Sequence, residues 1–233
     1  MSRTVLILQA RMGSTRLPGK SLLDLAGAPL VGRILERVKR VRALDAIVVA
    51  TTEKPEDTPL VELAGRYGVE AFRGSEGDLV DRYYQAAKAF GAETVARLPA
   101  DNPCSEPEAF ERLFAAHHAG THDFTSNVMQ VDGNGWPDGI GVEAFTFAAL
   151  ERVWHTVTDA HGREHLAANF YDYVNQRPLP DGRFSVGTVD CPPAWQRPDL
   201  VLDVNTPDEY AFIRQLYDDL YPGNPSFHIT DII

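Results

Sequence analysis

The chain has 233 residues, of which 44% are hydrophobic and 24% are charged, as is typical of a soluble globular protein. Its net charge of −11 argues against non-specific binding to nucleic acid or to anionic membranes, because both need a basic surface. The sequence has no apolar run of about 18 residues and no secretion-signal pattern, so it predicts no membrane insertion and a cytoplasmic location.

Short apolar runs alternate with helical patterns through the first half of the chain. The predicted strands are 5–8, 46–50, 69–72 and 94–98, and the predicted helices are 30–41, 57–67, 78–90 and 106–117. The run AIVVA at 46–50 has no polar alternation, which is typical of a strand buried in a parallel sheet. The alternation predicts an α/β fold with a mainly parallel, Rossmann-like sheet and right-handed crossovers.

The second half is less regular. The predicted strands are 124–128, 141–145, 184–189 and 200–204, the predicted helices are 146–157, 162–175 and 206–221, and 130–141 is a predicted loop. Thr206 is the predicted N-cap of the last helix, with Pro207 at its first position. We find no repeat and no linker, so residues 1–233 are predicted to form one domain with an irregular insertion around 128–190. Cys104 and Cys191 lack CxxC spacing and are predicted to be buried, reduced thiols.

The loop after the first strand concentrates positive charge in an acidic protein. The segment VLILQARMGSTRLPGK, residues 5–20, places Arg11, Arg16 and Lys20 among the glycines Gly13 and Gly19. Glycine lets backbone N–H groups approach a ligand closely, and amides together with Arg and Lys bind anions. A polyphosphate site at the carboxyl end of a strand is therefore predicted.

Two common phosphate motifs do not fit this loop. GxGxxG is absent from it, which argues against a dinucleotide site. The P-loop pattern G-x-x-x-x-G-K-[ST] needs four residues between its glycines, whereas five separate Gly13 from Gly19. Gly27 and Pro29 also interrupt the chain before a long helix can begin at the phosphates. A longer glycine-containing loop around a nucleoside triphosphate is the remaining interpretation.

A carboxylate is expected opposite such a loop. Nucleotidyl transfer needs the triphosphate charge neutralised, usually by Mg²⁺ held through one or two carboxylates. Asp101 comes shortly after the predicted strand 94–98 and is the candidate ligand. The alternative is that Asp101 only shapes the turn before Pro103.

The loop and several later segments resemble one family, the sugar-activating cytidylyltransferases. These include acylneuraminate and CMP-KDO synthetases, and the spore-coat polysaccharide branch is the most similar. The segments that carry the resemblance are QARMGSTRLPGK, IVVATTEKPED, FRGSEGDLVDRYYQAA, PDGIGVEAF, REHLAANFY and LDVNTPDEY. The resemblance implies the nucleotide-diphosphosugar-transferase type of α/β fold. It also implies attack of an acidic or related sugar on the α-phosphate of CTP, with release of pyrophosphate.

The resemblance also implies residue roles. Arg11, Arg16, Lys20 and Asp101 are the expected catalytic residues. The expected nucleotide-binding residues are Gln9, Ala10, Arg11, Met12, Gly13, Ser14, Arg16, Lys20, Arg73, Pro99 and Ala100. The expected Mg²⁺ ligands are Asp101, Asp203 and Asn205, and the expected acceptor-binding residues are Asp138, Glu143, Arg163, Glu164 and His165.

Two positions depart from the family pattern. Asn205 stands where the family usually has Asp, and an amide oxygen ligates a hard cation without adding charge, so Mg²⁺ affinity is expected to fall. Asp203 lies two residues earlier, on the same face of a regular strand, and is a possible substitute. Pro99 and Ala100 stand where relatives place residues that help to read the base, so the base preference stays open.

Structural interpretations compete with several of these roles. Asp138 also suits a Pro-Asp-Gly turn, Glu164 suits a helix first turn, and His165 suits a helix surface. Asp81 and Arg82 belong to a charged set around the third predicted strand, and they are equally consistent with a pair on the surface of the helix 78–90. The histidines His117, His118 and His122 lack the spacing of a metal site and are predicted to be surface residues.

Two other functions remain possible at this stage. A glycosyltransferase of related fold would use a D-x-D motif, of which 203–205 has only half. A catalytically weak nucleotide-binding protein would tolerate Asn205. A homodimer is plausible from the resemblance alone.

Overall fold

The computed structural model describes residues 2–14, 16–128 and 133–233. Part of the predicted loop 130–141 therefore lies outside the described residues. The strands are β1 (Thr4–Gln9), β2 (Asp24–Leu25), β3 (Ala28–Pro29), β4 (Ala46–Thr52), β5 (Glu70–Gly74), β6 (Thr94–Pro99), β7 (Phe124–Ser126), β8 (Glu143–Thr146), β9 (Tyr171–Asp172), β10 (Arg177–Pro178) and β11 (Val186–Thr188).

The α-helices are α1 (Leu30–Val38), α2 (Thr58–Arg66), α3 (Leu79–Ala89), α4 (Pro107–Ala119), α5 (Phe147–Thr156), α6 (Ala160–Glu164), α7 (Pro207–Leu220) and α8 (Ile229–Ile232). Short 3₁₀ turns lie at Lys20–Leu22, Pro55–Asp57, Leu166–Asn169 and Pro193–Trp195. The predicted N-cap of the last long helix is confirmed, since the Thr206 hydroxyl accepts from the backbone N–H of Glu209.

Seven strands form one sheet in the order β11-β7-β8-β6-β1-β4-β5. Strand β8 runs antiparallel to β6 and β7, and the other neighbouring pairs are parallel, which confirms the predicted mainly parallel sheet. The chain moves from β1 outward to β4 and β5, then returns to place β6 on the other side of β1. The strand order thus reverses between β1 and β6, and such a switch point leaves a crevice at the strands' carboxyl ends.

Alternate residues of β1 enter the cores on the two faces of the sheet. Leu6 and Leu8 pack on one face with α1, α2, α4 and α7, and Val5 and Ile7 pack on the other with α3 and α5. Both cysteines are buried and free, as predicted. No helix in the part of the chain that the structure describes is long and apolar enough to cross a membrane.

Two predicted elements are wrong. The predicted helix 162–175 ends early because the Asn169 side-chain amide donates to the carbonyls of Gly162 and Leu166, at 2.8 and 3.1 Å, so the chain turns back on itself. Among the described residues, the predicted strand 200–204 makes one isolated bridge, from Val201 to Asp138, and joins no sheet.

The predicted surface position of His117 is also wrong. The residue lies on the buried face of α4, and its Nδ1 is 2.9 Å from the Thr125 hydroxyl of β7. Burial, aided by the nearby His118 and His122, lowers the pKa of His117 to about 4. Folding therefore favours the neutral ring.

This burial makes stability depend on pH. Between the ordinary histidine pKa of about 6.5 and the folded-state pKa of about 4, the unfolded chain binds the proton more readily. We expect the free energy of unfolding to fall by up to about 3 kcal/mol from this group as the pH drops through that window. Urea unfolding of His117→Gln from pH 7 to pH 4.5 should show a shallower fall than the parent protein. The exposed His155→Gln serves as the control, and equal slopes for His117→Gln and the parent would contradict the assignment.

Candidate active site

A cleft of about 780 Å³ opens where β1 and β6 end. It brings together most of the residues that the sequence predicted for the site. Those that line it are Gln9, Ala10, Arg11, Gly13, Ser14, Arg16, Lys20, Pro99, Ala100, Asp101, Asp138, Glu143, Glu164, His165, Asp203 and Asn205. The predicted nucleotide-binding, metal-binding and acceptor-binding groups thus share one cavity.

Three predicted site residues do not line this cleft. The side chain of Met12 packs against the hydrophobic core. Arg73 donates to the carbonyls of Thr52 and Lys54, at 3.0 and 2.6 Å. Arg163 forms an ion pair with Asp78, in which its Nε donates to Oδ2 at 2.8 Å. The protein itself supplies the partners of both guanidinium groups, so the structure assigns them to packing rather than to the cavity.

Asp57 fixes the start of the cationic loop. Its Oδ1 accepts from the backbone N–H of Met12 at 2.7 Å, and its Oδ2 accepts from Thr52. Burial alone would raise the pKa of Asp57, but the hydrogen bonds from Thr52 and Met12 outweigh it, so the pKa is lowered. The sequence predicted Asp57 only as the start of a helix. It holds the loop that carries Arg11 against the end of β4.

Lys20 links the loop to the opposite wall of the cleft. Its Nζ donates to Asp101 Oδ2 at 3.2 Å and to the Val204 carbonyl at 2.7 Å. The residue begins a 3₁₀ turn directly after Gly19, whose φ of +69° favours glycine. Arg11 and Arg16 are exposed on the same loop. The three predicted cations therefore form one side of the cleft.

Three aspartates, Asp101, Asp138 and Asp203, form the other side. The segment that carries Asp203 is held at both edges, since Val204 N–H donates to the Asp101 carbonyl at 2.8 Å and Leu202 N–H donates to the Asp138 carbonyl at 3.0 Å. Gly139 allows the close approach, because a Cβ there would lie 2.5 Å from the Asp203 backbone nitrogen. Backbone contacts thus bring together carboxylates from three distant parts of the chain.

The aspartates repel one another. Burial, followed by the charges of Asp138 and Asp101, raises the pKa of Asp203 to about 6. Burial also raises the pKa of Asp138, with the Asp101 charge adding to the effect. A cation at this wall would relieve the repulsion, and carboxylate and amide oxygens suit Mg²⁺.

The donor set is open rather than a closed cage. Among the described residues, no group of three His, Cys, Asp or Glu side chains is already arranged to hold a metal ion. Mg²⁺ commonly takes one or two carboxylates and completes its shell with water and substrate phosphates, so these residues fit that use. Asn205 adds to the set but is engaged locally, as its Nδ2 donates to Asp203 and its N–H donates to Glu209 Oε2 at 2.7 Å.

A buried polar network closes the inner end of the cleft. Arg97 of β6 and Glu143 of β8 are paired in register across the two strands and form an ion pair, and the Tyr173 hydroxyl donates to the second oxygen of Glu143. Burial opposes the charge on Arg97, but the Glu143 carboxylate outweighs it, so the pKa of Arg97 is raised. Burial raises the pKa of Tyr173, and Glu143 raises it further, so the phenol stays protonated.

Sequence reasoning missed Arg82, Arg97 and Tyr173, which also line the cleft. For two of these residues, the sequence pattern could have indicated a buried charge. Arg97 is the one charged residue in the apolar strand TVARLP, and Arg82 lies three residues after Leu79 and four before Ala86, on the buried face of α3. The alternative that Arg82 belongs to a surface helix pair is therefore wrong. Tyr173 comes from a stretch predicted as helix.

Comparison with known proteins places the chain in a family. The sequence profile of the cytidylyltransferases matches residues 5–216. The spore coat polysaccharide biosynthesis protein SpsF of Bacillus subtilis is 28% identical over 224 residues, which cover 93% of this chain and 87% of SpsF.

Two solved structures are also similar. A cytidylyltransferase of Leptospira borgpetersenii serovar Hardjo-bovis superposes with a TM-score of 0.87 at 27% identity, covering 100% of this chain and 92% of that one. A CMP:2-keto-3-deoxy-manno-octonic acid synthetase in complex with CTP gives a TM-score of 0.68 at 18% identity, covering 94% and 99% of the two chains, and shares the fold. The cationic loop, the switch point of the sheet and the profile match agree, and the chain belongs to the cytidylyltransferase family of nucleotidyltransferases.

Proposed function

We propose that this protein transfers CMP from CTP to a sugar and releases pyrophosphate. The observation that carries the proposal is that one cleft holds three cations together with three aspartates. Arg11, Arg16 and Lys20 line the cationic wall, and the three aspartates line the other. A triphosphate with its metal needs both kinds of group at once, and family membership makes CTP the expected donor.

The cationic wall is assigned to the phosphates. Arg11, Arg16 and Lys20 bind the β- and γ-phosphates and stabilise the charge that develops on departing pyrophosphate. Backbone groups of Gly13 and Ser14 complete this part. Gln9 ends β1 and pairs with Pro99 at the end of β6, and Ala10 and Ala100 follow these two residues; the four are assigned to the nucleoside. The Gln9 Oε1 atom is buried and has no partner within the described residues, so it is available to accept from a ligand.

The aspartate wall is assigned to Mg²⁺. Asp101 and Asp203 would hold the ion, with Asn205 beside them, and the bound ion supplies charge neutralisation at the phosphates. Lys20 places a positive charge next to Asp101. This arrangement orients the triphosphate without a covalent enzyme intermediate.

The remaining polar groups of the cleft are assigned to the acceptor. They are Glu143, Glu164, His165 and the Tyr173 hydroxyl, with Asp138 at the border with the metal ligands. These groups suit hydrogen bonds to sugar hydroxyls. An acidic or related sugar, destined for a surface polysaccharide, is the acceptor that we propose, supported by the names of SpsF and of the CMP-sugar-acid synthetase. A homodimer remains a proposal from family resemblance.

Pyrophosphate release tests the proposal. The pure protein is incubated with each of the four NTPs, Mg²⁺ and a panel of sugars, and pyrophosphate and the CMP-sugar are measured. CTP-dependent release that requires both the sugar and Mg²⁺ is expected. Detectable CTP binding without release for any sugar would contradict transfer and favour a catalytically weak nucleotide-binding protein.

Replacing Asn205 by Asp is expected to change Mg²⁺ affinity and the stability of the apoprotein in opposite directions. The variant adds a charged ligand, so we expect Mg²⁺ to bind about tenfold more tightly. It also removes the amide donor of Asp203 and adds a like charge, so the apoprotein should be less stable by about 1 kcal/mol. Mg²⁺ titration followed by thermal unfolding measures both. Asp208→Asn, on the exposed first turn of α7, is the control, and an unchanged Mg²⁺ affinity in Asn205→Asp would count against the metal assignment.

A further inference from the structure

Arg82 is a buried arginine that the contacts within the protein do not account for. It lies on α3, is 4% exposed, and lines the cleft. Its Nη1 donates to the Ser75 carbonyl at 2.9 Å, but its Nε is buried and has no hydrogen-bond partner in the described chain. A charged group in this position normally has a carboxylate partner.

The other fully buried arginines have such a partner. Arg33 pairs with Glu36 at 2.8 Å, and Arg37 pairs with Glu106 at 3.8 Å. The less deeply buried Arg97 pairs with Glu143. Arg82 has no carboxylate within 4.0 Å among residues 2–14, 16–128 and 133–233. Among the arginines that are less than 5% exposed in the described chain, Arg82 alone has no ion-pair partner within 4.0 Å.

The charges around Arg82 are of both signs. Burial lowers the pKa of Arg82 and the positive charge of Arg11 lowers it further, whereas Tyr83 and the carboxylates of Asp57 and Glu76 raise it, and the pKa is lowered overall. Asp57 lies nearby but accepts from Met12 and Thr52. Glu76 lies nearby but forms its ion pair with Lys54 at 2.5 Å. Helix α3 also contacts α6, which carries the cleft residue Glu164. Arg82 therefore shares the cleft with Arg11 of the cationic loop and with Glu164 of α6.

We propose that Arg82, together with Arg11, binds an anionic oxygen group of a substrate. The guanidinium fork suits phosphate and carboxylate equally well, so the group is either a phosphate of the nucleotide or the acidic group of the acceptor. The assignment of the anion to a substrate rests on the proposed function. The ligand supplies the ion-pair partner that Arg82 lacks among the described residues.

Binding measurements on Arg82→Gln test this role and name the anion. Calorimetric titrations use inorganic pyrophosphate, CTP with Mg²⁺, and then sugar acids and sugar phosphates in the presence of CTP. A loss of about tenfold or more in affinity for pyrophosphate or CTP assigns the anion to the nucleotide. Unchanged nucleotide binding with a similar loss for a sugar acid or sugar phosphate assigns it to the acceptor. Arg66→Gln, an exposed arginine of α2, is the control for the loss of one charge.

Stability of the apoprotein distinguishes binding from packing. Because Arg82 has no ion-pair partner among the described residues, Arg82→Gln should melt at the same temperature as the parent protein or higher. A midpoint lower by about 4 °C or more, or parent-like binding of every probe, overturns the proposal.

The two proposals fail in different ways. If the parent protein turns over CTP and Arg82→Gln binds every probe as tightly as the parent does, the role of Arg82 is overturned but the proposed function is not. The opposite result is that the parent protein releases no pyrophosphate from any NTP but binds inorganic pyrophosphate more tightly than Arg82→Gln does. That result overturns the proposed transferase function and supports the anion site at Arg82.

Discussion

Replacing Lys20 by Met is expected to lower kcat/KM for CTP-dependent pyrophosphate release by about 10²- to 10³-fold. Nζ of Lys20 is fixed between Asp101 Oδ2 and the Val204 carbonyl, so its charge is oriented before substrate binds. Such a preset charge stabilises the developing pyrophosphate without reorganisation of the site. Steady-state kinetics at saturating Mg²⁺ measure the effect.

The control for Lys20→Met removes a lysine outside the cleft. Lys88 is exposed on α3, so Lys88→Met changes the net charge equally and should keep parent-like kinetics. Lys20→Met should still fold, because Lys20 lies in the cleft and belongs to neither hydrophobic core. Activity of Lys20→Met within about twofold of the parent would show that this wall does not stabilise the leaving group.

Replacing Glu143 by Gln is expected to lower the free energy of unfolding by about 3 kcal/mol or more. The change leaves the Arg97 charge buried without its carboxylate and weakens the hydrogen bond from Tyr173. The Nε atom of Arg97 is buried and has no hydrogen-bond partner within the described residues. Glu143 is therefore the main group that compensates the buried Arg97 charge. Urea denaturation at neutral pH gives the difference directly.

Glu164→Gln is the matched control for Glu143→Gln, since Glu164 lines the same cleft but is exposed. It should change stability by less than about 0.5 kcal/mol. Adding Arg97→Met to Glu143→Gln should recover much of the lost stability, because the unpaired charge is then gone. Parent-like stability of Glu143→Gln would mean that Arg97 is not held by this pair.

The sequence alone predicted the strands β1, β4 and β6, the helix after each of them, and the cationic loop. Each of these rests on local chemistry, such as an apolar run, a cap or a cluster of charges within a few residues. It also suggested Asp101 and Asp203 as metal ligands near the loop, although only the family resemblance assigned the two residues to the same site. The prediction of a helix over 162–175 failed because the Asn169 side chain donates hydrogen bonds to backbone carbonyls that would otherwise accept from backbone N–H groups of the helix.

The tertiary structure alone decided which charged residues face the cleft. Arg73 and Arg163 resemble site residues in sequence, yet Thr52, Lys54 and Asp78 satisfy their guanidinium groups elsewhere. Arg82 looked like a surface residue and lies buried in the cleft wall without an ion-pair partner among the described residues. Local pattern fixes where helices and strands form. Whether a charge is paired by the protein or left for a ligand depends on residues that are distant in the chain, so only the folded structure shows it.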